Sequence, residues 1–373
     1  MPHGPHGSTR GSIPESAPMM VGRQAVVVGR HPKAGEGEQV MREPLDRNLA
    51  FDLVRVTEGA AMAAAHWMGR GNKEAADKAA VDAMRYALQF VNMDGIVIIG
   101  EGEKDKAPML YNGERVGAGV PPLVDIAVDP IDGTALLANG LPNAVSAVAI
   151  AERGALFDPR GIFYMNKIAV GPAAKGAIDI NASVTENLRR IAAAKRMHVE
   201  DLTICVLDRE RHRDLIAEIR EVGARLRLIV HGDLAGGLMP AMADTGVDAL
   251  MGIGGAPEAV ITACALKCMG GEIQGKLWVD PNDPRTKGRT AGVDFDRVLT
   301  TDDLAAGDDI FVAVTGITDG ELLRGVRYTS AGAMTSSLAM RARSGTVRTI
   351  DSIHNFAKLS SIGVMTFQRP RSR

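Results

Sequence analysis

The chain has 373 residues, enough for two domains at roughly 100–200 residues each. Hydrophobic residues at 46% and charged residues at 24% are ordinary for a folded globular protein and exclude wholesale disorder. With 43 Lys+Arg against 45 Asp+Glu the net charge is −2, which gives no basic bias toward nucleic acid, and no apolar run reaches the roughly 20 residues that span a bilayer.

The first 46 residues read as a mobile tail rich in Gly, Pro, His, Ser and Arg. Its basic residues Arg10, Arg23, Arg30 and Lys33 suit either solvent or an acidic partner. Helical spacing begins with Leu49, Leu53, Val56, Ala60 and Ala64 and stops at Gly69 and Gly71. A second helix over 74–90 carries Val81, Met84 and Leu88 on one face, with Asp77 one turn earlier on that face. Taken alone, Asp77 is either a solvated first-turn acid or a carboxylate with a bound partner.

Two strand-like runs then end in acids. Ile96–Ile99 leads into Gly100-Glu101-Gly102-Glu103-Lys104-Asp105, and Val124–Val128 leads into Asp129-Pro130-Ile131-Asp132-Gly133-Thr134. Further strands are expected at 144–151 and 162–170, and a helix at 185–197. From 201 onward, strands at 202–207, 225–230, 248–252, 272–278 and 310–315 alternate with helices at 211–222, 234–243, 257–269 and 301–306. That rhythm predicts an α/β layer with parallel strands. The segment 326–351 reads as strands turning at Ser344-Gly345, expected to join the first sheet, with a continuous second domain as the close alternative. The expected organisation is a tail (1–46), a metal-site α+β domain (47–200 with 320–373) and an α/β substrate domain (201–319).

The stretch Asp129–Thr134 has the composition of a turn, yet it holds two acids that a turn does not require. Hard divalent cations bind carboxylate oxygens, and Mg²⁺ completes its shell with a few acids and substrate phosphate. Asp77, Glu101, Asp129 and Asp132 together form a stronger candidate than any one of them. Competing motifs fail on spacing. Asp294-Phe295-Asp296 lacks the apolar strand that a phosphoaspartate nucleophile needs, and Gly270–Lys276 has Leu277 in place of the P-loop Ser/Thr. Gly252-Ile253-Gly254-Gly255 lacks the third glycine of a dinucleotide fingerprint. Cys205, Cys264 and Cys268 lie in apolar contexts and read as buried thiols of a reducing, cytoplasmic compartment, with a metal or redox site as the lesser alternative.

The ordered set of motifs resembles the class II (GlpX-type) fructose-1,6-bisphosphatases among the lithium-sensitive, metal-dependent sugar phosphatases. It comprises Gly71-Asn72-Lys73 with Asp77, Gly100–Asp105, 107–113, Asp129–Thr134, Tyr164-Met165-Asn166-Lys167, Leu207–His212, Gly252–Glu258 and Thr315–Gly320, across Leu49 to Leu359. The resemblance implies a two-domain, layered α-β-α-β-α fold. It also implies removal of the 1-phosphate of fructose 1,6-bisphosphate, a step of gluconeogenesis, with two Mg²⁺ or Mn²⁺ ions. Asp77 and Glu101 would hold one ion, and Asp129, Asp132 and Glu258 the other. Lys73 and Asp105 would support catalysis, and Thr134 would orient the attacking water. Asp132, Gly133, Thr134, Tyr164, Arg209, Glu210, Arg211, His231, Gly232, Asp233 and Gly255 would hold sugar and phosphates. The lesser alternatives are that Arg209 and Arg211 are solvated charges after a strand, Lys73 a surface loop cation and Tyr164 a core aromatic. The family has Asp-Gly-Asp where this chain has His231-Gly232-Asp233, and it differs again at Asn72 and Lys78. Sedoheptulose 1,7-bisphosphate or an inositol phosphate is the neighbouring substrate reading, and a metabolite-binding protein without turnover is the reading from another class. A sugar bisphosphate partner, no nucleic acid, no membrane, and a homodimer or homotetramer complete the expectations.

Overall fold

The structure is a computed structural model and describes residues 49–102, 109–280 and 292–361. The tail 1–46 and Asp105 therefore lie outside the described residues. The chain opens with α1 (Leu49–Ala65) and α2 (Lys73–Leu88); α2 starts where the Asn72 side chain accepts the Ala75 N–H at 3.0 Å, satisfying an end-of-helix donor. Then come β1 (Asp94–Ile99), β2 (Arg115–Val116), β3 (Leu123–Asp132), α3 (Thr134–Ala138) and β4 (Val145–Glu152). Next are β5 (Tyr164–Val170), α4 (Val184–Lys195), β6 (Thr203–Leu207), α5 (Arg213–Val222), β7 (Arg225–Ile229) and α6 (Asp233–Leu238). They are followed by β8 (Ala249–Gly255), α7 (Ala256–Met269), β9 (Glu272–Trp278), β10 (Leu299–Thr300) and α8 (Thr301–Leu304). The chain continues through β11 (Phe311–Gly316), β12 (Arg327–Tyr328), β13 (Gly332–Arg341), β14 (Thr346–Asn355) and α9 (Phe356–Ser361).

One sheet has the order β12-β13-β11-β4-β3-β1-β2, with β14 on the other edge of β13; the second has the order β10-β9-β5-β8-β6-β7. The strands of 326–351 do join the first sheet, as β12 to β14. The parallel layer expected from 201 onward is corrected in two respects. β6 pairs in parallel with β7 and β8, but β5 lies antiparallel between β8 and β9. The strand at 310–315 is β11, which pairs with β4 and β13 in the first sheet. Alternation of strands and helices reports crossovers, but not a strand from earlier in the chain inserted between two later ones.

Side-chain alternation sorts the residues into layers. On β4, Val148 and Ile150 pack with α1 and α2, while Ala147, Ala149 and Ala151 face the space between the sheets. On β5, Met165 and Ala169 face that same space, and Ile168 and Val170 pack with Leu188, Ile191, Ile216 and Ile219 of α4 and α5. α7 fills the middle layer. Ala259 to Leu266 are all buried, on every side of the helix, because sheets cover both faces. The small alanines of β4 let α7 approach closely. The result is the α-β-α-β-α layering that the motifs implied. Cys205, Cys264 and Cys268 are free and buried in this layer; burial pushes the thiols of Cys205 and Cys264 up to about 12 and raises that of Cys268 too, so they are inert packing residues.

Candidate metal and phosphate site

The acids of the Asp129–Thr134 segment reach the middle layer through an irregularity in β3. In a regular strand, residues three apart point to opposite faces. Here Asp129 pairs with Ala147 and Asp132 with Val145, so β3 spends one more residue than β4 over this interval. The segment with the composition of a turn is thus a bulged continuation of the strand, with Pro130 needing no ladder N–H. Ala127, two residues before Asp129, lies in the inter-sheet core, and Asp132 Oδ2 accepts the N–H of Ala235 in α6 at 3.2 Å. Both acids therefore face the same layer. Gly133 follows at φ +87, a left-handed position that suits glycine, and starts α3 at Thr134.

Four further elements converge on this point. Asp77, on α2, accepts a hydrogen bond from Thr134 Oγ1 at 2.9 Å. Glu101 follows β1 after Gly100, whose missing Cβ would lie 2.0 Å from the Leu110 carbonyl oxygen. Glu258 lies in the first turn of α7, and its Oε2 is buried with no hydrogen-bond partner. Asp233 starts α6 after Gly232, which is itself at φ +83.

Crowding of like charge in a low-polarity layer raises the proton affinity of these acids. Desolvation, then Asp132, Glu258, Glu101 and Asp233, push Asp129 well above the carboxylate range. Asp132 rises likewise through desolvation and then Asp233 and Glu258, against the Ala235 N–H and Lys167. Burial and Asp233 push Glu258 up to about 7; desolvation and then Asp77 push Glu101 up to about 7, although Glu101 stands at the exposed edge of the cluster. Asp77 rises by desolvation, opposed by Thr134 and Lys73. The cation facing them from inside the layer is Lys167, 1% exposed, with Nζ 2.7 Å from Asp233 Oδ2.

The cationic groups expected to hold phosphate stand around the start of α5 and the end of β7. Arg211 donates to the Ile253 carbonyl through Nε (3.2 Å) and Nη2 (2.8 Å), and its guanidinium lies 5.0 Å over the Tyr164 ring. Arg209 donates through Nη1 to the Asp208 carbonyl at 3.0 Å and through Nη2 to the Val230 carbonyl, and Nη2 lies 3.3 Å from His231 Nδ1. Burial, Arg209 and Lys73 all lower the pKa of His231. Lys73 is the first residue of α2 and acts electrostatically on both Asp77 and His231, which ties it to the same region. Glu210 is placed differently: its carboxylate is taken by Arg213, and both are exposed.

Two residues escaped sequence reasoning as members of the site. Lys167 appears only inside a motif, although a lysine within the apolar run Met165–Val170 is itself a signal. His212 is buried. Its Nε2 accepts the Ile253 N–H at 2.7 Å and Nδ1 donates to the Leu207 carbonyl at 2.7 Å, which fixes the neutral tautomer and holds the 208–212 segment against β8.

The donors offered here are carboxylate oxygens, the set that a hard divalent cation takes. Among the described residues no three such side chains already enclose an ion as they stand. The mutual repulsion of the acids and the unpartnered Oε2 of Glu258 are nevertheless what a bound cation would relieve, so the residues fit one.

Acids gathered in the middle layer beside braced arginines define the class of layered α/β sugar phosphatases. Residues 47–354 match the family described as bacterial fructose-1,6-bisphosphatase, glpX-encoded, and the chain belongs to that family. It is similar to a D-fructose 1,6-bisphosphatase class 2/sedoheptulose 1,7-bisphosphatase of Synechococcus elongatus, 42% identical over 345 residues that cover 86% of this chain and 100% of that protein. It is also similar to a D-fructose 1,6-bisphosphatase class 2/sedoheptulose 1,7-bisphosphatase 2 of Acaryochloris marina, 43% identical over 337 residues that cover 84% of this chain and 97% of that protein.

Proposed function

We propose that the chain hydrolyses the 1-phosphate of D-fructose 1,6-bisphosphate, giving fructose 6-phosphate and phosphate. The observation that carries the reading is the convergence of Asp77 of α2 and Glu101 after β1 with Asp129, Asp132 and Glu258 of the middle layer, beside Arg209 and Arg211. In this reading Asp77 and Glu101 hold one divalent cation, and Asp129, Asp132 and Glu258 a second, Mg²⁺ or Mn²⁺. When bound, such ions neutralise phosphate charge and make a nearby water more acidic.

The chain's own groups do the rest. Thr134 donates a hydrogen bond from its hydroxyl to Asp77, so its lone pairs are left to accept a hydrogen bond from the attacking water and orient it. Water adds to phosphorus as the bond to the sugar oxygen breaks, and a water proton ends on that oxygen. Arg211 is held flat by the Ile253 carbonyl and the Tyr164 ring, so a bidentate phosphate contact costs it little rotamer freedom. Arg209, braced by two carbonyls, serves the other phosphate beside His231 and Gly232. Asp233 and Gly255 face the sugar, and Lys73 balances Asp77. Asp105 is assigned to catalytic support by resemblance alone.

The names of the two relatives favour a second substrate, sedoheptulose 1,7-bisphosphate, at the same site. The reading extends to a cytoplasmic homodimer or homotetramer. The buried free thiols support the reducing compartment, and the assembly rests on the family resemblance alone. The test is phosphate release from both bisphosphates and from an inositol phosphate, with Mg²⁺ or Mn²⁺ and with EDTA. Metal-dependent release from fructose 1,6-bisphosphate is expected. Tight binding without release would favour a non-catalytic sensor, and light scattering reads the assembly.

A further inference from the structure

A cationic clasp stands beside the acids. Lys167 occupies the middle of β5, on the face shared with Met165 and Ala169, which lie in the inter-sheet core. Its Nζ is 2.7 Å from Asp233 Oδ2 and donates to the Gly255 carbonyl at 2.9 Å. The same Asp233 oxygen accepts the Gly255 N–H at 3.2 Å. The ammonium, one carboxylate oxygen and one residue's backbone thus make a closed set of three contacts. They join β5, the first residue of α6 and the residue that precedes α7.

The surrounding sequence makes room for this set. A Cβ on Gly254 would stand 1.9 Å from Asp233 Oδ2 and 3.1 Å from Lys167 Cε. A Cβ on Gly255 would stand 1.6 Å from Glu258 Oε2. Stability alone does not explain the clasp, because a buried ion pair is often matched by apolar residues of the same volume. Position does explain it. The clasp ties Asp233, the first residue of α6, to Gly255, the residue before α7, and so fixes these two groups relative to one another.

We propose that Lys167 is a positioning residue for substrate binding: it fixes Asp233 and Gly255 in the geometry that receives the sugar, without touching the sugar itself. The proposal rests on the sugar-bisphosphatase reading above. Lys167 acts through Asp233, so its loss removes an interaction made equally in the bound substrate and the transition state; this raises KM and leaves kcat nearly unchanged.

The experiment is a double-mutant cycle of Lys167→Met, Asp233→Asn and the two together, with kcat, KM and melting temperature measured on the full chain. Each single variant is expected to raise KM for fructose 1,6-bisphosphate by about tenfold or more, the size of a lost charge-assisted hydrogen bond. The double variant should match Asp233→Asn in KM, and kcat should stay within about threefold throughout. Should Lys167→Met fail to fold with Asp233 left unpaired, Lys167→Arg, which keeps a cation but alters its reach to Asp233, replaces it in both the single and the double variant. A double-variant KM above that of Asp233→Asn by the full effect of Lys167→Met overturns the proposal. So does a fall in melting temperature and kcat with KM unmoved. The wild type separates the two failures: turnover with an additive cycle sinks only the role of Lys167, whereas no turnover of any phosphate ester sinks the functional reading itself.

Discussion

Glu258 provides a test of the acid cluster that does not depend on turnover. Its carboxyl is pushed from 4.5 up to about 7, first by desolvation and then by Asp233, and its Oε2 has no partner. The folded chain therefore holds this proton more tightly than the unfolded chain does. At low pH both states are protonated and nothing is lost. As pH rises from 4.5 to about 7 the unfolded state gives up the proton first, so stability falls, and above about 7 the full penalty stands. At 1.36 kcal/mol per tenfold in proton affinity, that penalty is about 3 kcal/mol at about pH 8 and about 1 kcal/mol at about pH 5. Glu258→Gln removes it. In EDTA the variant should be more stable than the wild type by about 2–3 kcal/mol at about pH 8 and by at most about 1 kcal/mol at about pH 5, read from urea unfolding. Millimolar Mg²⁺ or Mn²⁺ should then stabilise the wild type at the higher pH much more than the variant. A variant no more stable than the wild type in EDTA, or a gain independent of pH, would refute the account of a repulsive cluster awaiting a cation.

Three further substitutions probe the same layer. Asp132→Asn should leave circular dichroism unchanged and lower turnover by more than the about 10–100-fold that outer-shell partners of a metal cost; near-normal turnover would remove Asp132 from the metal set. Thr134→Ala should lower kcat by about a hundredfold or more with KM nearly constant, because a water-orienting hydroxyl acts in the reaction step; an unchanged kcat would reject that role. Gly254→Ala should destabilise the chain by about 1–3 kcal/mol, since the new Cβ meets a carboxylate oxygen that Lys167 holds in place. Wild-type stability in that variant would mean that the clasp is looser than its distances indicate.

The elements were legible in the sequence because each carries its own period. The continuous apolar runs of β4, β6 and β11, buried on both faces, and the 3.6-residue spacing of α1 and α5 are local properties that survive in any topology. Their arrangement was less legible. Nothing in 162–170 marks β5 as a strand that departs from its neighbours to lie between β8 and β9. Nothing in 310–315 separates β11 from the strands that precede it. Pairing partners are chosen by long-range packing, here by the demand that α7 be covered on both sides. The return of β12 to β14 to the first sheet was legible only because the helical rhythm stops before it.

The site divides along a similar line. Carboxylates announce themselves when they repeat at the ends of apolar runs, so Glu101, Asp129 and Asp132 stood out before any geometry was available. Their common direction did not, since a spacing of three places Asp129 and Asp132 on opposite faces of a regular strand. The bulge at Pro130 resolves this, and the extra residue is what makes a three-residue spacing serviceable for two acids on one side. Lys167 was hidden for the opposite reason. Its function depends on Asp233 and Gly255, 66 and 88 residues away, and a single lysine in an apolar strand carries no sign of either. Glu210 lies between two braced arginines in the chain, and its exposed carboxylate pairs with Arg213. Motif membership therefore identifies which segment lines the site, whereas the bulge, the register and the buried ion pair decide which of its side chains reach it.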